Sequence, residues 1–278
     1  MTATLDLSRF EGIDLERLIA DAALQTRVDR KYVLTRDAAA RVVASLDART
    51  LILDTAGARS FRYESVYFDT PDLLSFRMAA QPRRRRFKLR TRTYLDSRTA
   101  FLELKTRGAR SATVKDRVEY PASDRRRLTE MARDYAAEGL ESIGVGGRRA
   151  DDLGVRLTTR YRRATFVSAD RAARATIDVD LEWDDVAGPV LTTPHLVILE
   201  TKSPAAASDV DRVLWRAGHR PVSISKYATG MAALHPHLPR NKWARLLRGP
   251  FAGALLHSPA SVRSPITRKE ETSCADAA

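Results

Sequence analysis

Residues 83–117, which read RRRRFKLRTRTYLDSRTAFLELKTRGARSATVKDR, decide the fold of this chain. Charged residues alternate there with apolar or small ones in three successive runs, and a period of two predicts β-strands rather than helices. The three sets of residues that would share a face are Lys88, Arg90 and Arg92, then Phe101, Glu103 and Lys105, then Thr113, Lys115 and Arg117. Adjacent antiparallel strands would gather these cations on one surface.

A cationic sheet surface of this kind indicates a bound polyanion. Like charges that face each other across a sheet repel, so the surface is costly unless an anion neutralises it. The alternative for any single strand is a solvated face whose other side packs on helices. Three such strands in succession, with the carboxylate of Glu103 among the cations, favour a phosphate site. We interpret Glu103 as an ion-pair partner of Lys105 or Lys115.

The composition of the whole chain also indicates an acidic partner. The 278 residues carry a formal net charge of +13, which is typical of proteins that bind nucleic acid, a phosphate chain, a nucleotide or anionic lipid. A single cysteine, Cys274, excludes a disulfide framework and a thiolate metal cluster within the chain. The first residues lack a signal-peptide pattern and no apolar window could span a bilayer, so we expect a soluble, cytoplasmic protein.

The remaining sequence predicts an antiparallel α+β fold. Apolar spacing predicts helices over residues 14–24, 35–46, 121–139, 208–217, 223–234 and 239–247, and strands over 26–34, 65–68, 156–167, 174–183 and 196–202. On the strand 174–183, one face would carry Ile177, Val179, Leu181 and Trp183, and the other Asp178, Asp180 and Glu182. Strands outnumber helices without a sustained parallel alternation, so we expect a closed antiparallel β-barrel with a polar interior and flanking helices.

Several motifs together resemble one known family. In chain order they are RVDRKYVL (27–34), SVYFDTPDL (65–73), FKLRTRTY (87–94), FLELKTRG (101–108), VKDR (114–117), YRRATF (161–166), RATIDVDLEW (174–183), LVILETKS (196–203) and SKYATG (225–230). Their succession resembles the VTC (vacuolar transporter chaperone) domain, a branch of the CYTH-like triphosphate tunnel metalloenzyme superfamily. No single motif is decisive, but the ordered set is specific and covers most of the chain.

The resemblance implies a tunnel-shaped barrel and a polyphosphate polymerase that uses ATP and Mn²⁺ or Mg²⁺. It divides the chain into an N-terminal helical segment packed on the barrel (1–25), a tunnel domain (26–248) and a tail (249–278), which its Ser, Pro and charge content predicts to be disordered. The expected partners are ATP and polyphosphate. Whether a membrane-protein partner takes up the product stays open.

The resemblance also implies roles for individual residues. The implied catalytic residues are Arg90, Arg92, Lys105, Lys115 and Lys226; the phosphate-binding residues are Lys31, Lys88, Arg163, Arg174 and Ser225; and the metal ligand is Glu200. Two positions depart from the family pattern. Ser223 stands where a characterised polymerase has a further lysine, and Asp29 stands where related tunnel enzymes place a glutamate, whose longer side chain reaches further.

Two other functions remain open from the sequence. A triphosphatase would use the same tunnel to activate water, and it requires a second carboxylate near Glu200. A non-enzymatic module would bind polyphosphate or nucleic acid without turnover. Nucleic acid is disfavoured because single-stranded binders interleave aromatic and basic residues, and only Phe87 and Tyr94 lie near the basic strands.

Overall fold

A computed structural model of the chain describes residues 5–20, 28–81, 83–107, 113–186, 188–204 and 206–258. Its strands are β1 (Glu11–Ile13), β2 (Val28–Thr35), β3 (Leu51–Leu53), β4 (Phe61–Asp69), β5 (Arg86–Tyr94), β6 (Thr99–Arg107), β7 (Thr113–Tyr120), β8 (Gly154–Val167), β9 (Arg174–Asp185), β10 (Val190–Thr193), β11 (Leu196–Ser203) and β12 (Leu255–His257). Its α-helices are α1 (Leu15–Ala20), α2 (Arg36–Ala44), α3 (Leu74–Ala80), α4 (Glu130–Ser142), α5 (Asp209–Arg216), α6 (Lys226–Leu234) and α7 (Ala244–Arg248).

The main body of the sheet is antiparallel and curved. Its strands follow the order β2-β11-β9-β8-β4-β5-β6-β7. Among the described residues no ladder of hydrogen bonds joins β7 to β2, so the predicted α+β fold with a large antiparallel sheet is confirmed, whereas closure of the barrel stays a prediction. Side chains from both end strands, Lys31 of β2 and Lys115 of β7, nevertheless face one cavity.

The helices cover the sheet on both faces. On the outer face, α2 and α5 pack against apolar residues of β2, β9 and β11, and α4 packs against those of β5 and β6. On the inner face, which bears the cavity, α6 packs through Tyr227 and Met231 against Tyr67, Tyr161 and Trp183. Because side chains alternate between the two faces of each strand, the apolar residues that pack under α2, α4 and α5 point away from the charged residues of the cavity.

Side-chain caps fix where most of the helices begin. Thr35 and Ser208 cap α2 and α5 as the sequence predicts. The predicted helix at 121–139 begins later, because residues 122–124 form a 3₁₀ turn and Thr129 caps α4. In the basic run that follows the turn, Arg125 donates from Nε to Glu64 Oε1 at 2.9 Å. That contact attaches the basic run to the sheet, and helix α4 begins only after it.

A β-bulge in β9 corrects the predicted faces of that strand. The register against β8 shifts between Arg160 and Arg162, and Asp180 adopts a φ of 53°. Ile177 packs on the outer cluster with α2, while Trp183 packs on the inner cluster with α6. The alternating sequence pattern does not reveal the extra residue of a bulge. It therefore predicted that Ile177 and Trp183 share one face.

The described chain has secondary structure beyond residue 248. Residues Pro250–Gly253 form a 3₁₀ turn and β12 pairs with β10. The rest of the predicted tail, residues 259–278, lies outside the described residues, as does the end of the predicted helix at 14–24. No helix in the described ranges is both long and apolar enough to cross a membrane.

Candidate active site

The inner face of the sheet encloses a cationic cavity of about 150 Å³. Its lining residues are Lys31, Tyr67, Lys88, Arg90, Arg92, Glu103, Lys105, Lys115, Arg163, Ile198, Glu200, Lys202, Ile224, Ser225 and Lys226. Nine of these residues are lysine or arginine and two are glutamate, and this excess of basic side chains suits an anionic ligand.

Ten of the eleven site residues named from the sequence line this cavity. The exception is Arg174, which lies opposite Lys202 in the β9–β11 register and is outside the lining set. Sequence reasoning missed Lys202 and Tyr67 as lining residues. Lys202 could have been found from its spacing, since it is two residues after Glu200 on the same strand and shares its face.

Glu103 is the anionic anchor of one wall. Its side chain is 1% exposed, and its Oε2 accepts hydrogen bonds from Arg90 Nε at 2.8 Å and Arg90 Nη2 at 2.5 Å. Lys115 Nζ lies 3.1 Å from its Oε1, which confirms the predicted ion pair for Lys115, whereas Arg92 Nη1 lies 3.8 Å away. Burial alone would raise the pKa of Glu103, but these three cations outweigh it and hold that pKa below its usual range.

Asp178 is the anionic anchor of the opposite wall. It is 1% exposed and accepts hydrogen bonds from Arg163 Nε at 2.6 Å, Arg163 Nη2 at 2.8 Å and Lys226 Nζ. Lys226 Nζ also lies 4.3 Å from the ring centroid of Tyr161, and the Arg163 guanidinium lies 5.3 Å from it. Burial would raise the pKa of Asp178, but the two cations outweigh it and lower that pKa. Asp178 therefore orients two cations at the cavity wall.

Three lysines lie between these anchors with little anionic compensation. Within the described chain the ammonium groups of Lys31 and Lys105 form neither an ion pair nor a hydrogen bond, although the charge of Glu200 interacts with both, and Lys88 Nζ donates only to Ser225 Oγ, at 2.9 Å. Burial, together with the charges of Lys31 and Arg90, lowers the pKa of Lys88 well below its usual value. Burial and the charge of Arg90 likewise lower the pKa of Lys105 to about 7. A bound phosphate would relieve the mutual repulsion of these ammonium groups.

Helix α6 delivers Ser225 and Lys226 to the cavity. Ser225 Oγ caps the helix by accepting from Ala228 N at 3.2 Å, and Trp183 Nε1 donates to the Lys226 carbonyl at 2.7 Å. Gly230 lies so close to Trp183 that a Cβ on it would be 2.2 Å from the indole. The glycine of the SKYATG motif thus lets α6 approach the inner face of the sheet.

A buried aspartate fixes α6 from its other side. Tyr227 OH donates to Asp69 Oδ2 at 2.6 Å, and the same carboxylate accepts from Ser75 N at 2.8 Å and Phe76 N at 2.9 Å at the start of α3. The Tyr227 ring also stacks on Tyr67, which lines the cavity, with 5.2 Å between centroids. The FDTPDL and SKY motifs therefore meet in space and position the N-terminus of α6.

Alternating charges on β2 and β11 bring two carboxylates close together. The register places Lys31 opposite Glu200 and Asp29 opposite Lys202. Lys202 Nζ lies 3.2 Å from Asp29 Oδ2 and donates to Glu200 Oε1. Both carboxylates therefore converge on one cationic group, and oxygen ligands of this kind suit Mg²⁺ or Mn²⁺. The described residues hold no cluster of three or more His, Cys, Asp or Glu, so a metal would need oxygens from a ligand or water.

The fold and the cavity define a class of protein, an antiparallel α+β fold whose curved sheet encloses a cationic site. A family model described as the VTC domain matches residues 26–235. The match covers most of the chain, which therefore belongs to the VTC domain family, and the resemblance of its motifs is confirmed. No curated protein matches the chain.

Solved structures with a similar fold share little sequence with this chain. A Hippeastrum protein, described as a candidate adenylyl cyclase with a dominant triphosphatase activity, is 16% identical, with 78% of this chain and 99% of that chain covered and a TM-score of 0.49. A Bacillus halodurans protein described as a candidate adenylate cyclase is 11% identical, with 73% and 96% covered and a TM-score of 0.46. At these identities and scores the likeness adds no argument about function.

Proposed function

We propose that this protein is a polyphosphate polymerase, which transfers the γ-phosphoryl group of ATP to a growing polyphosphate chain. The observation that carries the proposal is the charge of the cavity, where nine cationic side chains face two carboxylates. Membership of the VTC domain family supports the same activity, because it is the activity that the family resemblance implies. Because Lys31 of β2 and Lys115 of β7 face one cavity, we extend the proposal to a closed tunnel formed by residues 26–248, with residues 1–25 packed on it.

Phosphoryl transfer requires the protein to align the reactants and to stabilise charge more than to take part covalently. The guanidinium groups of Arg90, Arg92 and Arg163 suit phosphate oxygens because each can donate to two of them. The terminal phosphate of the growing chain attacks the γ-phosphorus of ATP, a new P–O–P bond forms, the bond to the β-phosphate oxygen breaks, and ADP leaves. Since a chain end is already ionised at neutral pH, no side-chain base is required.

Lysines extend the same electrostatic support along the cavity. In this proposal Lys105, Lys115 and Lys226 act with the arginines on the reacting phosphates, while Lys31, Lys88 and Ser225 hold neighbouring phosphates. Arg174 lies outside the cavity lining, and we assign it to phosphates that approach along β9. The ammonium groups are compact charges on flexible stems, so they can follow a chain as it advances.

A divalent metal fits beside these residues. In the proposal Glu200 would hold Mn²⁺ or Mg²⁺ through its carboxylate, and oxygens of the bound phosphates and water would supply the other ligands. A metal bound there would neutralise charge on the triphosphate oxygens and favour departure of ADP.

A triphosphatase is the second candidate function. It would use the same cavity but direct water to the γ-phosphorus, and it requires a second carboxylate near the metal ligand. The observation that favours it is Asp29, whose Oδ2 contacts the same Lys202 ammonium as Glu200. The shorter side chain of Asp29 thus reaches the neighbourhood of Glu200 through the register of β2 and β11.

One assay separates the candidate functions. Purified protein is incubated with ATP and Mn²⁺ or Mg²⁺, with and without a short polyphosphate primer, and ADP, free phosphate and long-chain polyphosphate are measured together. We expect ADP and polyphosphate with little free phosphate. Free phosphate alone would replace the polymerase with a triphosphatase, and tight polyphosphate binding without turnover would make the protein a binding module.

Replacing Glu200 with Gln should remove the dependence of turnover on Mn²⁺. The amide keeps the shape of the side chain but not the charge that a divalent cation requires, so we expect activity to fall about a hundredfold and no longer to rise with metal. The measurement is the initial rate against Mn²⁺ concentration. The matched control is Glu138→Gln, on the exposed face of α4, which should keep the wild-type curve.

A further inference from the structure

The cationic strip on β5 and β6 continues beyond the cavity as pairs of like charges. The register places Lys88 opposite Lys105, and one step further along the ladder it places Arg86 opposite Arg107. Like charges directly opposite each other destabilise a sheet. A strand end that keeps such a pair therefore points to an anion that is present when the protein works.

Arg86 and Arg107 lie on the same face as the cavity-lining residues. The register between β5 and β6 runs without a break from Arg86 to Tyr94, so Arg86 shares its face with Lys88 and Arg107 shares its face with Lys105. Each lies about 7 Å further along its strand, since each residue adds about 3.4 Å. Neither is part of the cavity lining.

A third cation, Lys242, lies within electrostatic range of Arg86. Burial and the charge of Arg86 lower the pKa of Lys242, and burial and the charge of Arg107 lower the pKa of Arg86. In the described ranges none of the three forms an ion pair; Lys242 Nζ donates to the Ala79 carbonyl at 2.6 Å, and Arg86 Nη1 to the Arg83 carbonyl at 3.4 Å. By contrast, Arg90 on the same strand is neutralised by Glu103.

The size of the cavity indicates that a long chain extends out of it. The cavity has a volume of about 150 Å³. That space suits a few phosphates, whereas a polyphosphate product is far longer. The part of the chain outside the cavity needs its own counter-charges, and the face of β5 and β6 supplies them in line with Lys88 and Lys105.

We propose that Arg86 and Arg107 form an outer subsite that binds linear polyphosphate beyond the phosphates held in the cavity. The inference rests on the polyphosphate-binding part of the proposed function. A short ligand such as tripolyphosphate is held by the cavity alone, while a long chain also contacts the outer subsite. The outer subsite therefore sets a preference for chain length.

The test compares two ligands on the double variant Arg86→Gln, Arg107→Gln. Calorimetric titration should show about tenfold weaker binding of long-chain polyphosphate, since each 1.4 kcal/mol of lost charge-assisted contact is a factor of ten. Tripolyphosphate should bind within about twofold of wild type, because the cavity is intact. The matched control is Arg84→Gln, an exposed residue of the same basic run, which should change neither affinity.

Thermal unfolding tests whether the pair has only a structural role. Because the two arginines repel each other, the double variant should unfold at or above the wild-type Tm, and a clear fall in Tm would overturn the inference. Equal weakening of both ligands, or of neither, would also overturn it. If wild type binds both polyphosphates but does not turn over ATP, the polymerase proposal falls while the outer subsite stands.

Discussion

Replacing Asp178 with Asn should lower the Tm of the protein by about 10 °C, because breaking a buried ion pair costs about 3–5 kcal/mol and each kcal/mol shifts the Tm of a chain this size by about 2–4 °C. The carboxylate is 1% exposed and binds both Arg163 and Lys226. Without its charge, two cations remain buried beside the other cations of the cavity. Thermal unfolding followed by circular dichroism measures the change.

The control for this variant lies two residues away on the same strand. Asp180 is 45% exposed and pairs with Arg36 and Arg162 on the outside of the sheet, so Asp180→Asn should change the Tm by no more than a degree or two. Its positive φ suits asparagine as well as aspartate. Equal Tm values for Asp178→Asn and Asp180→Asn would show that Asp178 stabilises the fold no more than an exposed aspartate does.

The pH dependence of the same variant has a defined sign. The pKa of Asp178 is lower in the folded protein than in the unfolded chain, so its contribution to stability is complete above the unfolded pKa of about 3.9. It is lost as the pH falls through the folded pKa. The difference in Tm between wild type and Asp178→Asn should therefore be constant near neutral pH and shrink below about pH 4.

Ligand binding adds a signature that a purely structural aspartate would lack. Tripolyphosphate in the cavity would compensate Arg163 and Lys226 in place of the missing carboxylate. We therefore expect it to raise the Tm of Asp178→Asn by more than it raises the Tm of wild type. A smaller increase in Tm for Asp178→Asn than for wild type would show that Asp178 does not position cations that bind the phosphates.

The sequence was most informative where pattern and register are local. Arg86–Tyr94 alternates between buried and half-buried residues along its whole length, as the period of two predicts. The pairing of consecutive antiparallel strands then brings Lys88, Lys105 and Lys115 to one surface. The α+β class and most of the cavity lining followed from these rules and from the family resemblance.

What the sequence could not predict depends on contacts between distant segments. Lys202 meets Asp29 because β11 pairs with β2, and 173 residues separate the two in the chain. The bulge at Asp180 breaks the alternation of side chains along β9. Asp178 therefore faces the cavity wall, while the later acidic residues face the outside of the sheet. The alternating run DVDLEWD does not show which of its acidic residues faces the cavity. Only the pairing of β9 with β8 distinguishes them.

Arg92→Gln should lower kcat by a factor of about 10²–10³, with little change in Tm. The side chain is 14% exposed, its Nη1 is 3.8 Å from Glu103, beyond hydrogen-bonding distance, and its buried Nε has no hydrogen-bond partner among the described residues. The protein therefore uses little of the hydrogen-bonding capacity of this guanidinium. It remains available for the oxygens of a transferred phosphoryl group.

Arg90→Gln should behave differently, although the family resemblance gives both arginines the same role. Arg90 makes two hydrogen bonds to Glu103 and one to Tyr67 OH at 3.2 Å. Its loss removes charge-assisted bonds worth about 1.5–3 kcal/mol each, so kcat and Tm should fall together.

Arg162→Gln, which removes a 55% exposed arginine from the outer face of β8, is the control and should keep both values. Steady-state kinetics and thermal unfolding of the three variants give the result. Near-wild-type turnover in both cavity variants would refute the site, and equal losses of Tm in both would refute the distinction between a phosphate ligand and a residue that is also structural.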